Sequence, residues 1–214
     1  MSKFTLDKNE HFTLTEEITH AISHGIGAAL GIAGLVLLIL RADTTRSLIA
    51  ALIFGLSIIS LYLMSTLYHA MKKGTKIKQL FEKFDHIFIY FLIGGTFAPA
   101  LLLVVPDPWG YIFLGVQWTI IAIAVTLKTL FFERYHNLHV MAYLVLGWSA
   151  VFILQPLWQT TPLGLLWIGL GGLAYSIGVF FYAFRSVRYM HLVWHLLVLT
   201  GTIFHFTAVY FYIL

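Results

Sequence analysis

Residues 47–70 read SLIAALIFGLSIISLYLMSTLYHA, a stretch with no Asp, Glu, Lys or Arg. A helix needs about 20 such residues to cross a ~30 Å hydrocarbon layer, so this stretch is a membrane span. Outward from it, similar runs fall at 20–40, 85–105, 110–131, 138–157, 163–184 and 190–212. The breaks carry charge or turn chemistry: Arg41–Arg46, Lys72–Lys83, Pro106–Gly110, Glu133–Asn137, Trp158–Pro162 and Arg185–Arg188. Lipid offers no hydrogen-bond partners, so the spans are expected to be helices. A β-barrel would need alternating segments of about ten residues, and these runs do not alternate. The expected fold is all-α: a seven-transmembrane-helix bundle over residues 20–214, preceded by a cytoplasmic tail of residues 1–19.

Composition excludes the other broad classes. Of 214 residues, 60% are hydrophobic and 10% charged, against about 25% charged in a soluble protein. Disorder and a soluble fold are both ruled out. The 13 Lys and Arg are scattered among apolar stretches and form no basic stripe, so no nucleic-acid partner is expected. There is no cysteine, hence no disulfide, thiolate metal site or Cys nucleophile. Residues 1–17 are polar and lack the apolar core of a cleavable signal, so the first apolar run is expected to remain as an anchor.

Orientation follows from the basic residues. With seven spans, one side receives Lys3, Lys8, Lys72, Lys73, Lys76, Lys78, Lys83, Lys128, Arg134, Arg185 and Arg188; the other receives only Arg41 and Arg46. The N-terminus is therefore expected in the cytoplasm and Leu214 outside, in the plasma (inner) membrane.

Ten histidines are costly in so apolar a chain. His69 ends span two, Asp85 and His86 open span three, His20 and His24 open span one, and His191 and His195 open span seven. Alternating topology brings all of these to one membrane depth. Ionisable groups within a membrane face the bundle interior and are functional by default. His191 and His195 stand at i and i+4, on one helix face, a spacing with which two imidazoles can hold one metal. Ser65 and His69 have the same spacing. Three neutral histidines and a water make a zinc site of the catalytic type, and Asp85 would orient that water or accept its proton.

The bland readings stand beside this one. An H-x-x-x-H pair alone is a weak signal. His11, His136 and His139 are read as interfacial groups bonding headgroups or backbone carbonyls. His205 lies ten residues past His195, about 15 Å deeper, and is read as a buried, hydrogen-bonded polar residue. Asp85 beside a basic loop would simply pair with Lys83. Trp109, Trp118 and Trp158 suit an interfacial belt. Gly25, Gly27, Gly31 and Gly34, and likewise Gly169, Gly171, Gly172 and Gly178, read as close helix-packing faces.

Several motifs occur together and in order: Glu17 to His24 with Gly25, Ser65-Thr-Leu-Tyr-His69, Phe84-Asp85-His86 followed by Gly94-Gly95-Thr96-Phe97-Ala98-Pro99, and His191-Leu-Val-Trp-His195. From about residue 16 to 212 the chain resembles the hemolysin III proteins, the bacterial branch of the progestin and adipoQ receptor family. The resemblance implies seven helices and a zinc ion (Zn2+) held by His69, His191 and His195, with Asp85 and Ser65 as the catalytic residues close to a bound water. Related alkaline ceramidases hydrolyse a lipid amide at a similar centre. The first motif usually reads E-x-x-N-x-x-x-H; here His20 stands at the Asn position.

Two functions remain open at this point. One is a zinc-dependent hydrolase of lipid amides or esters, with membrane lipids as partners and substrate, tied to membrane-lipid homeostasis. The other is a non-enzymatic transporter, channel, pore or sensor using the histidines for metal or proton handling. An apolar tunnel beside the metal would favour the first, and a continuous polar path across the bilayer the second.

Overall fold

In the first three helices, capping chemistry rather than the end of the apolar run sets where the helix starts. In the computed structural model, which describes residues 12–132 and 134–214, the Thr13 hydroxyl accepts from the Glu16 amide (3.3 Å) and Glu16 accepts from the Thr13 amide (3.0 Å). This capping box satisfies two orphan donors and starts α1, Leu14–Arg41, ahead of the run expected from residue 20. Thr44 and Ser47 make the same box for α2, Thr45–Ala70. Thr75 caps α3, Lys76–Leu103, by accepting from the Lys78 amide (3.2 Å). The segment 72–83, read as a break, is thus mostly helix, and only 71–75 separates α2 from α3. Lysines mark where the hydrocarbon ends, not where the helix does. Lys3, Lys8, His11 and Glu133 lie outside the described residues.

The remaining helices are α4, Trp109–Leu130; α5, His136–Thr160; α6, Pro162–Ala183; and α7, Met190–Ile213. All seven are long and apolar enough to cross a membrane, and the described residues form no strand. The all-α expectation holds. Within α5, Pro156 has no N–H and its ring crowds the carbonyl of Phe152; there the helix tightens to 3-10 turns over Ser149–Ile153. Pro162 opens α6, a position where its missing N–H has no cost.

Consecutive helices pack side by side, and α7 returns to α1 to close the ring. α3 also touches α5 and is the most enclosed helix, 61% of its apolar window being buried against 17% for α4. Lipid-facing apolar residues gain nothing by burial in such a bundle, so close backbone approach decides the packing. A Cβ at Gly27 would lie 2.8 Å from Tyr62, and one at Gly95 only 2.0 Å from Ser57 Oγ. These two glycines seat α2 between α1 and α3, which fixes the position of His69. Gly171 and Gly178 pack against His205 and Trp194 as expected, but a Cβ at Gly169 would meet nothing within 4 Å. Gly169 and Gly172 line a cavity instead. Trp109 and Trp158 are exposed in the manner of a belt, whereas Trp118 is half-buried over Gly94 on α3.

Candidate metal centre

The first turns of α1 and α7 and the last turn of α2 meet at one end of the bundle. There His20, His24, His69, His191 and His195 form a single buried layer, none more than 5% exposed. His20, His69 and His191 each offer a nitrogen, all within 4.8 Å of one another. His195 Nε2 stands 3.1 Å from His191 Nε2. His24 lies against the far side of His195, its ring stacked at 3.6 Å and 11°. Phe12 covers the layer from the tail side, its ring 4.8 Å from those of His20 and His191. Thus His69, His191 and His195 do come together, and with them His20 and His24, whose roles the motifs left open.

Hydrogen bonds behind the rings set their tautomers. His69 Nδ1 is 2.8 Å from Glu17 Oε2; a carboxylate accepts only, so Nδ1 carries the proton and Nε2 keeps its lone pair. Ser23 donates its hydroxyl proton to the His20 carbonyl (2.8 Å) and accepts from His195 Nδ1 (3.1 Å). His195 Nε2 is therefore also a lone-pair donor facing the layer. A carboxylate behind a histidine is the usual support of a metal ligand. Lys78, buried on α3, completes the support: its ammonium pairs with Glu17 Oε1 (2.8 Å) and donates to the Tyr68 carbonyl (3.0 Å).

These residues fit a metal ion. His69 Nε2 and both nitrogens of His20 and of His24 are buried without a partner among the described residues, as is Ser65 Oγ. Buried polar atoms are nearly always satisfied, and a cation satisfies several at once. Two nitrogens each about 2.0–2.1 Å from a tetrahedral zinc lie roughly 3.3 Å apart, close to the 3.1 Å between His191 and His195. A donor set of imidazoles suits zinc, copper, iron or nickel.

Ser65 is fully buried one turn before His69 on α2. Asp85 is half-buried on α3, at seven-residue spacing from Lys78 and from Leu92, and so on the helix stripe that carries both. Lys78 touches the site and Leu92 the inner core; the stripe faces inward. Glu17 was visible in the first motif, but only its contact with His69 gives it a task. Glu17→Gln removes the charge behind His69 while keeping an acceptor, and is expected to weaken metal affinity about 10–100-fold in a chelator competition. Unchanged affinity would mean that His69 is not a ligand.

The two remaining interfacial histidines depart from their reading. His139 Nδ1 is 2.7 Å from Tyr90 Oη, and His136 Nε2 is 3.2 Å from Tyr182 Oη. With His86 and the buried Lys128 they line a second small pocket between α3, α4, α5, α6 and α7. Packing of α5 against α3 turns them inward, a rotation that interface depth alone does not reveal. His205 stands apart from the histidine layer, its ring stacked on Tyr175 at 5.3 Å. It borders an apolar cavity of about 200 Å³ whose walls include Leu61, Trp194 and Val198. Those three residues adjoin Ser65, His191 and His195 along their own helices, so the cavity begins just inside the histidine layer.

Fold and site together define a multi-pass membrane protein whose helices converge on a buried layer of imidazoles. The chain belongs to the family described as Haemolysin-III related, which matches residues 12–206. It is 36% identical over 203 residues to Hemolysin-3 of Bacillus cereus, covering 93% of this chain and 92% of the relative. It is 38% identical over 205 residues to the Hemolysin-3 homolog of Bacillus subtilis (strain 168), covering 94% and 96%. The human Monocyte to macrophage differentiation factor is 28% identical over 206 residues, covering 94% and 86%.

Proposed function

We propose that this protein is a zinc-dependent hydrolase of lipid amides or esters that acts in membrane-lipid homeostasis. The observation that carries the reading is the juxtaposition of a buried imidazole layer, several of whose nitrogens have no partner among the described residues, with an apolar cavity just inside it. His69, His191 and His195 hold the ion, which supplies Lewis-acid polarisation and a lowered water pKa. Glu17 and Ser23 keep His69 and His195 in the tautomer that offers Nε2. Asp85 orients a water and accepts its proton as the water oxygen adds to the substrate carbonyl. The same proton then passes to the departing amine or alcohol as the C–N or C–O bond breaks. The Ser65 hydroxyl orients the reacting carbonyl, the cavity takes the acyl chain, and Phe12 keeps bulk water from the layer.

One observation favours the second reading, proton or ion handling. Tyr62 donates to Thr202 (2.7 Å), Tyr175 Oη lies 2.9 Å from the same hydroxyl, and Tyr175 stacks on His205. This polar row runs from the ring of His24, 4.9 Å from that of Tyr62, toward the middle of the bundle. Reconstituted protein assayed against a broad panel of lipid amides and esters decides between the two: free fatty acid is expected, and ion flux with no lipid product would favour the row.

The eleven-to-two distribution of basic residues supports a cytoplasmic N-terminus in the inner membrane. A reporter fused after Leu214 is expected to report an external location. A cytoplasmic signal there would overturn the orientation.

A further inference from the structure

The imidazole layer holds two rings more than the three that a catalytic zinc site with an open position needs. His20 is fully buried on α1. Its ring centroid lies 4.8 Å from that of His69, 4.7 Å from His191 and 5.1 Å from His195. The other three separations are 5.3 Å for His69–His191, 5.0 Å for His69–His195 and 4.6 Å for His191–His195. Six nearly equal separations among four rings describe a tetrahedron. Four imidazoles bound through nitrogen to one tetrahedral zinc have centroids about 5 Å apart. His24 has no place in that figure, because it lies flat against the back of His195.

We propose that His20 is a fourth ligand, so that this protein holds its metal at rest in a closed tetrahedron of His20, His69, His191 and His195. Both His20 nitrogens are buried and have no partner among the described residues, and one of them lies among the donor atoms of His69 and His191. Among the described residues no carboxylate or hydroxyl stands behind His20 as Glu17 and Ser23 stand behind His69 and His195. His191 Nδ1 also lacks such a partner, but His191 Nε2 lies 3.1 Å from His195 Nε2, so His20 is the ring that yields its position to an incoming water or substrate carbonyl. The inference rests on the metal reading of the site and adds a resting state to it: exogenous ligands reach the metal only when His20 lets go.

The test uses the full-length protein in detergent, loaded with Co2+ as a spectroscopic stand-in for zinc. Wild type is expected to bind one Co2+ with a tetrahedral spectrum that azide leaves unchanged. His20→Asn is expected to keep Co2+ with affinity lowered about tenfold or more in a chelator competition, and to show a spectrum that azide shifts. His20→Cys supplies a direct probe, since the chain contains no other cysteine. A thiolate-to-cobalt charge-transfer band in that variant places residue 20 in the coordination sphere, even if His20→Asn folds poorly. Wild type that binds Co2+ and responds to azide, with no such band in a folded His20→Cys protein, overturns the role of His20 and leaves the three-histidine centre standing. Wild type that binds no Co2+ overturns the centre and the inference together.

Discussion

His191→Ala is expected to lose nearly all bound zinc. His191 has neighbours on every side of the layer: its ring lies 4.7 Å from His20, 5.3 Å from His69 and 4.6 Å from His195. Removing it deletes one ligand and leaves a gap where Phe12 now sits over the layer. A structural zinc site is worth about 10–16 kcal/mol when complete, so loss of one of its imidazoles moves affinity by orders of magnitude. His195→Ala is expected to behave the same way. His205→Ala is the control: its ring is beyond the layer, against Tyr175, and zinc content is expected to change little. Zinc measured per chain after gel filtration reads all three. Equal loss in His205→Ala would show that the ligands lie elsewhere.

Asp85→Asn is expected to keep the fold and most of the zinc while abolishing lipid hydrolysis. The amide has nearly the shape of the carboxylate and can still accept a hydrogen bond, but it cannot take a proton from water. A positioned base contributes about 10²–10⁴-fold to such a reaction, so turnover is expected to fall by about that factor. Ser65→Ala is expected to be milder, since a hydroxyl orients and carries no charge. If Asp85 were only an interfacial partner of a lysine, the pair would be worth about 0–1 kcal/mol and Asn would be nearly silent. Product formation by wild type and Asp85→Asn at equal zinc loading separates these outcomes. Equal rates would remove Asp85 from the mechanism.

The architecture was legible because the membrane reduces it to a count. Residues 47–70 and six similar runs each had to be a helix, and alternation then brought His69, His191 and His195 to one end. Helix ends were less legible: Lys76, Lys78 and Lys83 read as a loop, yet Thr75 caps them into α3. Depth was legible and rotation was not. His20, His136 and His139 all sit near the same interface, and which of them turn toward the metal layer depends on how α1 and α5 pack. Gly27 turns α1 toward Tyr62 with His20 facing inward, while Tyr90 draws His139 into the second pocket. Glu17 could have been suspected from its place three residues before His20, but its partner lies on another helix.

The central claim is that the buried imidazole layer is a metal site. Elemental analysis of the purified wild-type protein, expressed with zinc available and handled without chelators, tests it most directly. About one zinc per chain is the result expected of this layer. Wild type that is folded yet holds no metal, and takes up none on titration, would contradict it.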